Sequence, residues 1–165
     1  SRAAAGAMVL LIRRAQALME AAGDDGDFDA LCQQLHRYQA TLRTCFTLEN
    51  FDNLIKNGRM RPIVGTLLRS LGIHIIADAT AEGTIHVADK ARGVGKTYRA
   101  ITALMKASKD CTDAEVVISH CENLEGAMAL KRQILADLPV KQVDLLSCRG
   151  LTSFYAMEKG LIVGY

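Results

Sequence analysis

The residues able to do chemistry fall in four short stretches. Gly93-Val94-Gly95-Lys96-Thr97 has the ending of a phosphate-cradling loop, in which backbone N–H groups and a Lys hold a phosphate chain. That pattern requires a first Gly at position 90, where this chain has Lys90. Without it, the segment reads as a strand-to-helix turn of the kind glycine permits. His120-Cys121 follows a short apolar run, at the sheet edge where α/β proteins place ligands. A Cys-His nucleophile needs a third orienting group, and adjacent side chains on one backbone point apart, so a capping or packing role for His120 is expected. Arg59 and Arg92 each lie next to Gly in connecting segments, where the guanidinium fork suits a carboxylate, a phosphate or a protein surface. Ser147-Cys148-Arg149-Gly150-Leu151-Thr152-Ser153-Phe154-Tyr155 offers hydroxyls to a ligand head group; the plainer reading is a polar loop with one helical turn.

These stretches are positioned by elements that the pattern of apolar residues predicts. A helix is expected over 4–22, with Val9, Ile12, Leu18 and Met19 on its apolar side and Gly23 ending it. Asp27 caps a second helix to about Gln39, in which Phe28, Leu31, Leu35 and Tyr38 recur at spacings of three and four. Leu42–Phe46 reads as a strand, Thr47–Lys56 as a helix, and Pro62–Leu71 as another. From Gly72 onward the order is strand, strand, helix, strand, helix, strand, short helix, strand. Ile73–Asp78 and Thr84–Ala88 form the first pair, a β-hairpin with Ile85 and Val87 on one face. A parallel or mixed sheet covered by helices follows from that alternation, which makes the fold class α/β.

Composition narrows the function classes. Half of the 165 residues are hydrophobic and there is no Trp. The net charge of +2 argues against nucleic acid or an anionic membrane surface as partner. No apolar run approaches the ~18–20 residues that span a bilayer. The apolar run Ala3–Ile12 continues with helical spacing, so it is read as a retained helix rather than a signal segment. The five cysteines are scattered, with no Cys-x-x-Cys, and the four histidines show no zinc-ligand spacing. Reduced thiols in a cytoplasmic protein are expected, with no metal. The rival to a binding module is a small nucleotide- or phosphate-binding protein using Gly93–Thr97 and His120. A duller alternative is an interaction fragment that assembles through a sheet edge.

An ordered series of motifs resembles the DegV family. Phe46–Met60, containing Asn57-Gly58-Arg59-Met60, resembles its Leu-x-x-Leu-x-x-Gly-Arg-Ile signature. Ile73–Ile76, Gly83-Thr84-Ile85 and Lys90-Ala91-Arg92-Gly93 follow in the family's order, then Ile118–Asn123, Gly150–Ala156 and Gly160–Tyr165. The resemblance implies a two-lobed α/β fold that holds one fatty acid between its lobes. The C-terminal lobe would be a mixed sheet with a β-hairpin and covering helices, over 72–165; residues 1–71 would be the mostly helical remainder of an incomplete N-terminal lobe. It further implies a non-enzymatic protein, without catalytic residues or cofactor, that presents the acyl carboxylate to a kinase subunit for acyl-phosphate formation. On that resemblance Thr152, Ser153 and Tyr155 fall near the head group, and Arg59 and Arg92 face the kinase. Two departures stand out: Tyr155-Ala156 replaces a common His-containing segment, and Ala3-Ala4-Ala5-Gly6 lacks the Ser that usually precedes this Gly.

Overall fold

The computed structural model of the chain describes residues 3–24, 26–60, 73–80 and 83–165. Among these, six strands form one mixed sheet in the order β3-β2-β1-β6-β4-β5. The strands are β1 (Thr44–Leu48), β2 (Ile73–Ala79), β3 (Ile85–Arg92), β4 (Glu115–His120), β5 (Gln142–Ser147) and β6 (Leu161–Gly164). The β4–β5 pair is parallel and the other pairs are antiparallel. The helices are α1 (Ala5–Ala22), α2 (Phe28–Thr41), α3 (Asp52–Lys56), α4 (Val94–Ser108), α5 (Leu124–Asp137) and α6 (Gly150–Ala156). The helix expected over Pro62–Leu71 lies outside the described residues.

Alternation along the strands divides the sheet into two faces. On one, Cys45, Ile76, Val116, Ile118, Val143 and Val163 pack against Ile101 and Met105 of α4 and Leu130 and Ile134 of α5. This is the larger core. On the other face a second core joins Leu48, Ile75 and Ala77 to Phe51, Leu54 and Met60, with Ala156 at the end of α6. The hairpin β2–β3 carries a bulge between Ile76 and Ala77, and its Asp78 and His86 pair at 3.0 Å across the register.

Helix α1 lies on this second face over β4 and β6, and two glycines let it come close. A Cβ on Gly6 would collide with the Val117 carbonyl oxygen, and one on Gly164 with the Ala7 nitrogen. An ion pair then fixes the helix along the sheet: Arg13 Nη1 donates to Asp144 Oδ2 at 2.6 Å on β5. Helix α2 packs on α1 and is capped as expected, the Asp27 carboxylate accepting from the N–H groups of Asp29 and Ala30. Its stripe is only partly covered, and Phe28 remains 74% exposed.

One expectation is corrected here. Thr47-Leu48-Glu49-Asn50 does not begin a helix: β1 continues through Leu48, and α3 starts at Asp52, where Asn50 Oδ1 accepts from the Asp52 N–H at 2.8 Å. The pull is tertiary, because Thr47 and Leu48 are registered against Ile76 and Ile75 in a central strand. β1 lies between β2 and β6 in the sheet, and α1 packs on β4 and β6.

Candidate functional site

An apolar groove of about 830 Å³ opens on the second face of the sheet, beneath the β2–β3 hairpin. Its floor is Ile85 and Val87, two residues apart on β3 and therefore on one side of the strand. One wall is Leu54 and Ile55 of α3, with Met60 beyond. Tyr155 of α6 and Arg59 stand at its rim.

The local chain explains this placement. Helix α3 ends at Lys56 with Asn57 as its C-cap, and Gly58 then adopts φ +68°, a left-handed value that favours glycine. The chain turns back so tightly that the N–H groups of Arg59 and Met60 both donate to the Leu54 carbonyl, at 2.8 and 3.2 Å. The turn buries Met60 and leaves Arg59 exposed. Asn53 Nδ2 donates to the Phe154 carbonyl at 2.6 Å, tying α3 to α6. The Phe154 ring meets the Tyr155 ring edge-on at 5.1 Å, and the Arg59 guanidinium carbon lies 5.9 Å from the centre of the Tyr155 ring. Arg59 is thus held over an aromatic face, a cation–π arrangement.

The structure therefore brings together Arg59 and Tyr155. Thr152 and Ser153 are half-buried on α6 and do not line the groove; the Ser153 carbonyl accepts from Met157 N–H, and Thr152 N–H donates to the Arg149 carbonyl. Arg92 is exposed at the far end of β3, opposite Ile73, five residues beyond Val87 and so about 17 Å along the strand. Sequence reasoning did not single out Leu54, Ile55, Met60, Ile85 and Val87 as lining. The alternation in Thr84–Ala88 signalled two of them, and the motif ending in Arg59 contains the other three.

The phosphate-loop candidate is a turn. Gly93, at φ +86°, caps α4, and the Thr97 hydroxyl donates to the Gly93 carbonyl at 3.1 Å, while Lys96 is exposed. Nearby, on the first face, a smaller cavity of about 250 Å³ is lined by Thr47, His74, Thr97 and Tyr98, with Glu49 and Lys159 paired at 3.7 Å; neither Lys96 nor His120 lines it. Burial, then the carboxylates of Glu49 and Glu125, pushes the Tyr98 phenol up. The Thr47 hydroxyl is buried there without a hydrogen-bond partner among the described residues. His120 is 8% exposed and its Nδ1 accepts from the Asn123 N–H at 3.4 Å, at the start of α5. It packs toward the first face and Cys121 toward the second, so the two do not converge. Among the described residues no group of three or more His, Cys, Asp or Glu is arranged to hold a metal ion, and no helix is long and apolar enough to cross a membrane.

Comparison with known proteins gives a consistent picture. A family model described as an uncharacterised protein of the DegV family matches residues 1–161. A DegV domain-containing protein of Streptococcus gordonii is 31% identical over the whole of this chain, which spans 57% of that relative's length. Among solved structures, the Streptococcus pneumoniae fatty acid kinase (Fak) B3 protein loaded with linoleic acid superposes with a TM-score of 0.89 at 30% identity. That match covers 99% of this chain and 57% of the other. A Eubacterium eligens DegV family protein loaded with heptadecanoic acid has the same fold, with a TM-score of 0.90 at 24% identity, over 99% of this chain and 58% of its own.

Proposed function

The chain belongs to the DegV family, and from that premise we propose that it supplies the tail-holding part of a fatty acid site and presents the acyl carboxylate to a kinase partner. One observation carries the reading: an apolar groove of about 830 Å³ with an Arg and a Tyr at its rim and aliphatic side chains along its floor and wall. The volume lies in the range of small-molecule sites, roughly 300–1,000 Å³. Each methylene taken from water contributes ~0.8 kcal/mol, so a long acyl chain gains on the order of 10 kcal/mol before the costs of binding. Affinity then resides in the groove, and polar groups only place the head.

Tyr155 is the head-group donor in this reading. Its hydroxyl donates one hydrogen bond and, unlike His, carries no charge at neutral pH. Thr152 and Ser153, within three residues of Tyr155 on α6, supply further head-group hydroxyls in this reading. The protein carries and presents; the chemistry belongs to the partner. The kinase partner is supported by the fatty acid kinase protein to which the chain is similar, and by the exposure of Arg59 and Arg92.

Replacing Arg59 and Arg92 together with Ala tests the partner half. The expected result is a weaker complex with a fatty acid kinase subunit, chiefly through slower and more salt-sensitive association, with fatty acid affinity nearly unchanged. Loss of fatty acid binding with an intact partner complex would reverse the assignment.

A further inference from the structure

Outside the groove and the small cavity, one pair of reactive side chains is placed with unusual definition. Strands β4 and β5 run parallel, with His120 opposite Ser147 as their last registered pair. The next residues along the two chains are Cys121 and Cys148. The Cys148 N–H donates to the His120 carbonyl at 2.7 Å, which extends the ladder to the two cysteines. Cys121 is also held on its other side: its N–H donates to the Gly160 carbonyl at 3.0 Å, and its carbonyl accepts from the Lys159 N–H at 2.9 Å. Both side chains pack against the second core, so they leave the sheet on the same face.

This arrangement falls within the geometry of a disulfide. Neighbouring strands are about 4.8 Å apart, and bridged cysteines have Cα atoms roughly 4.4–6.8 Å apart. The two positions lie just past the last registered pair of the ladder, side by side on adjacent strands. Both thiols are free and only half-buried, which leaves them within reach of a small reagent. Burial, and next the neighbouring Cys121, pushes the Cys148 thiol up to about 11.

We propose that Cys121 and Cys148 are a redox-active thiol pair that closes to a labile disulfide by exchange with a small disulfide of the glutathione type. The Cys121 thiolate attacks one sulfur of the reagent, forming a mixed disulfide and releasing one small thiolate. Cys148 then gives its proton to water, attacks Cys121 Sγ and expels the second small thiolate. Two protein thiols are oxidised, one small disulfide is reduced to two thiols, and the released thiolates take up the two protons. Forming the mixed disulfide removes charge from Cys121, which eases ionisation of Cys148 for the second step. A bridge between adjacent strands is strained, and strained disulfides are the readily reduced ones. Closure joins the end of β4 to the segment that leads directly into α6, two residues before Gly150.

The test is to equilibrate the chain with graded ratios of oxidised to reduced glutathione. Free thiols are then alkylated under denaturing conditions and the peptides mapped by mass. The expected product is a Cys121–Cys148 cross-linked peptide, two hydrogens lighter than the reduced pair, with Cys45 and Cys111 alkylated. Cys121→Ser and Cys148→Ser should each abolish the cross-link and leave a glutathione adduct on the remaining cysteine of the pair. Glutathione adducts on both cysteines of one chain, full alkylation of both at every ratio, or a cross-link to another cysteine would each overturn the proposal. The mapping of the unsubstituted chain decides the matter by itself if a serine variant fails to fold.

Discussion

At the scale of single residues, the sequence showed which side chains were able to act but not which of them meet. Arg59 and Tyr155 were assigned to a partner surface and to a head-group loop on separate grounds, and the fold places them 5.9 Å apart on one rim. Thr47 shows the opposite case, a hydroxyl buried without a partner among the described residues. A buried unsatisfied hydroxyl costs ~1–3 kcal/mol, and Val has nearly the same shape, so Thr47→Val should raise stability by about 1 kcal/mol in urea unfolding. A fall in stability would mean that the hydroxyl is satisfied in solution. Cys148 adds a pH dependence: its thiol is raised by burial to about 11 from an ordinary 9.0. Between those values the unfolded chain loses this proton while the folded chain keeps it. The folded state therefore binds more protons, and stability falls as pH rises from about 9 toward 11. In reducing buffer, melting temperature should decline over that window, and less steeply in Cys148→Ala.

At the scale of elements, hydrophobic period and punctuation did well where an element is local in origin. The ends of α1 and α2, the hairpin, the helix after Gly93 and the strand before His120 were all legible, because a cap, a glycine or a run of apolar residues marks each. β1 was harder. Leu42–Phe46 read as a strand, but Thr47 and Leu48 open the polar stretch read as a helix; pairing of Thr47 with β2 and β6, and of Leu48 with β2, keeps them extended. The contact of α1 with the sheet was invisible for a related reason: Gly6 and Gly164 are 158 positions apart, and nothing local reveals that each makes room for the other's segment. Gly164→Ala should accordingly lift α1 from β6 and destabilise the fold by ~1–3 kcal/mol, since its new Cβ meets backbone that has little room to yield. The same substitution at the exposed Gly95, which meets only the tip of the Arg99 side chain, should change stability by less than about 1 kcal/mol. Equal effects at the two sites, measured by denaturant unfolding, would contradict the packing argument.

At the scale of the whole molecule, the motif series gave the family and the fold class, and the structure supplied the architecture: one mixed sheet with a helical core on one face and a partly open apolar face on the other. The groove was not readable in advance, because its five aliphatic lining residues come from α3, the turn after it and β3, which only the folded sheet brings together. The chain spans 49–58% of the length of the curated relatives it matches, so the central claim concerns what this part of the molecule does for an acyl chain. The most direct test is native mass spectrometry of the chain incubated with oleate, beside Val87→Glu, which puts a charge on the groove floor. The account predicts one fatty acid per chain, lost in Val87→Glu while the charge-state distribution of the folded protein is unchanged. No adduct on the unsubstituted chain, or one that survives Val87→Glu undiminished, would contradict it and place the acyl site elsewhere.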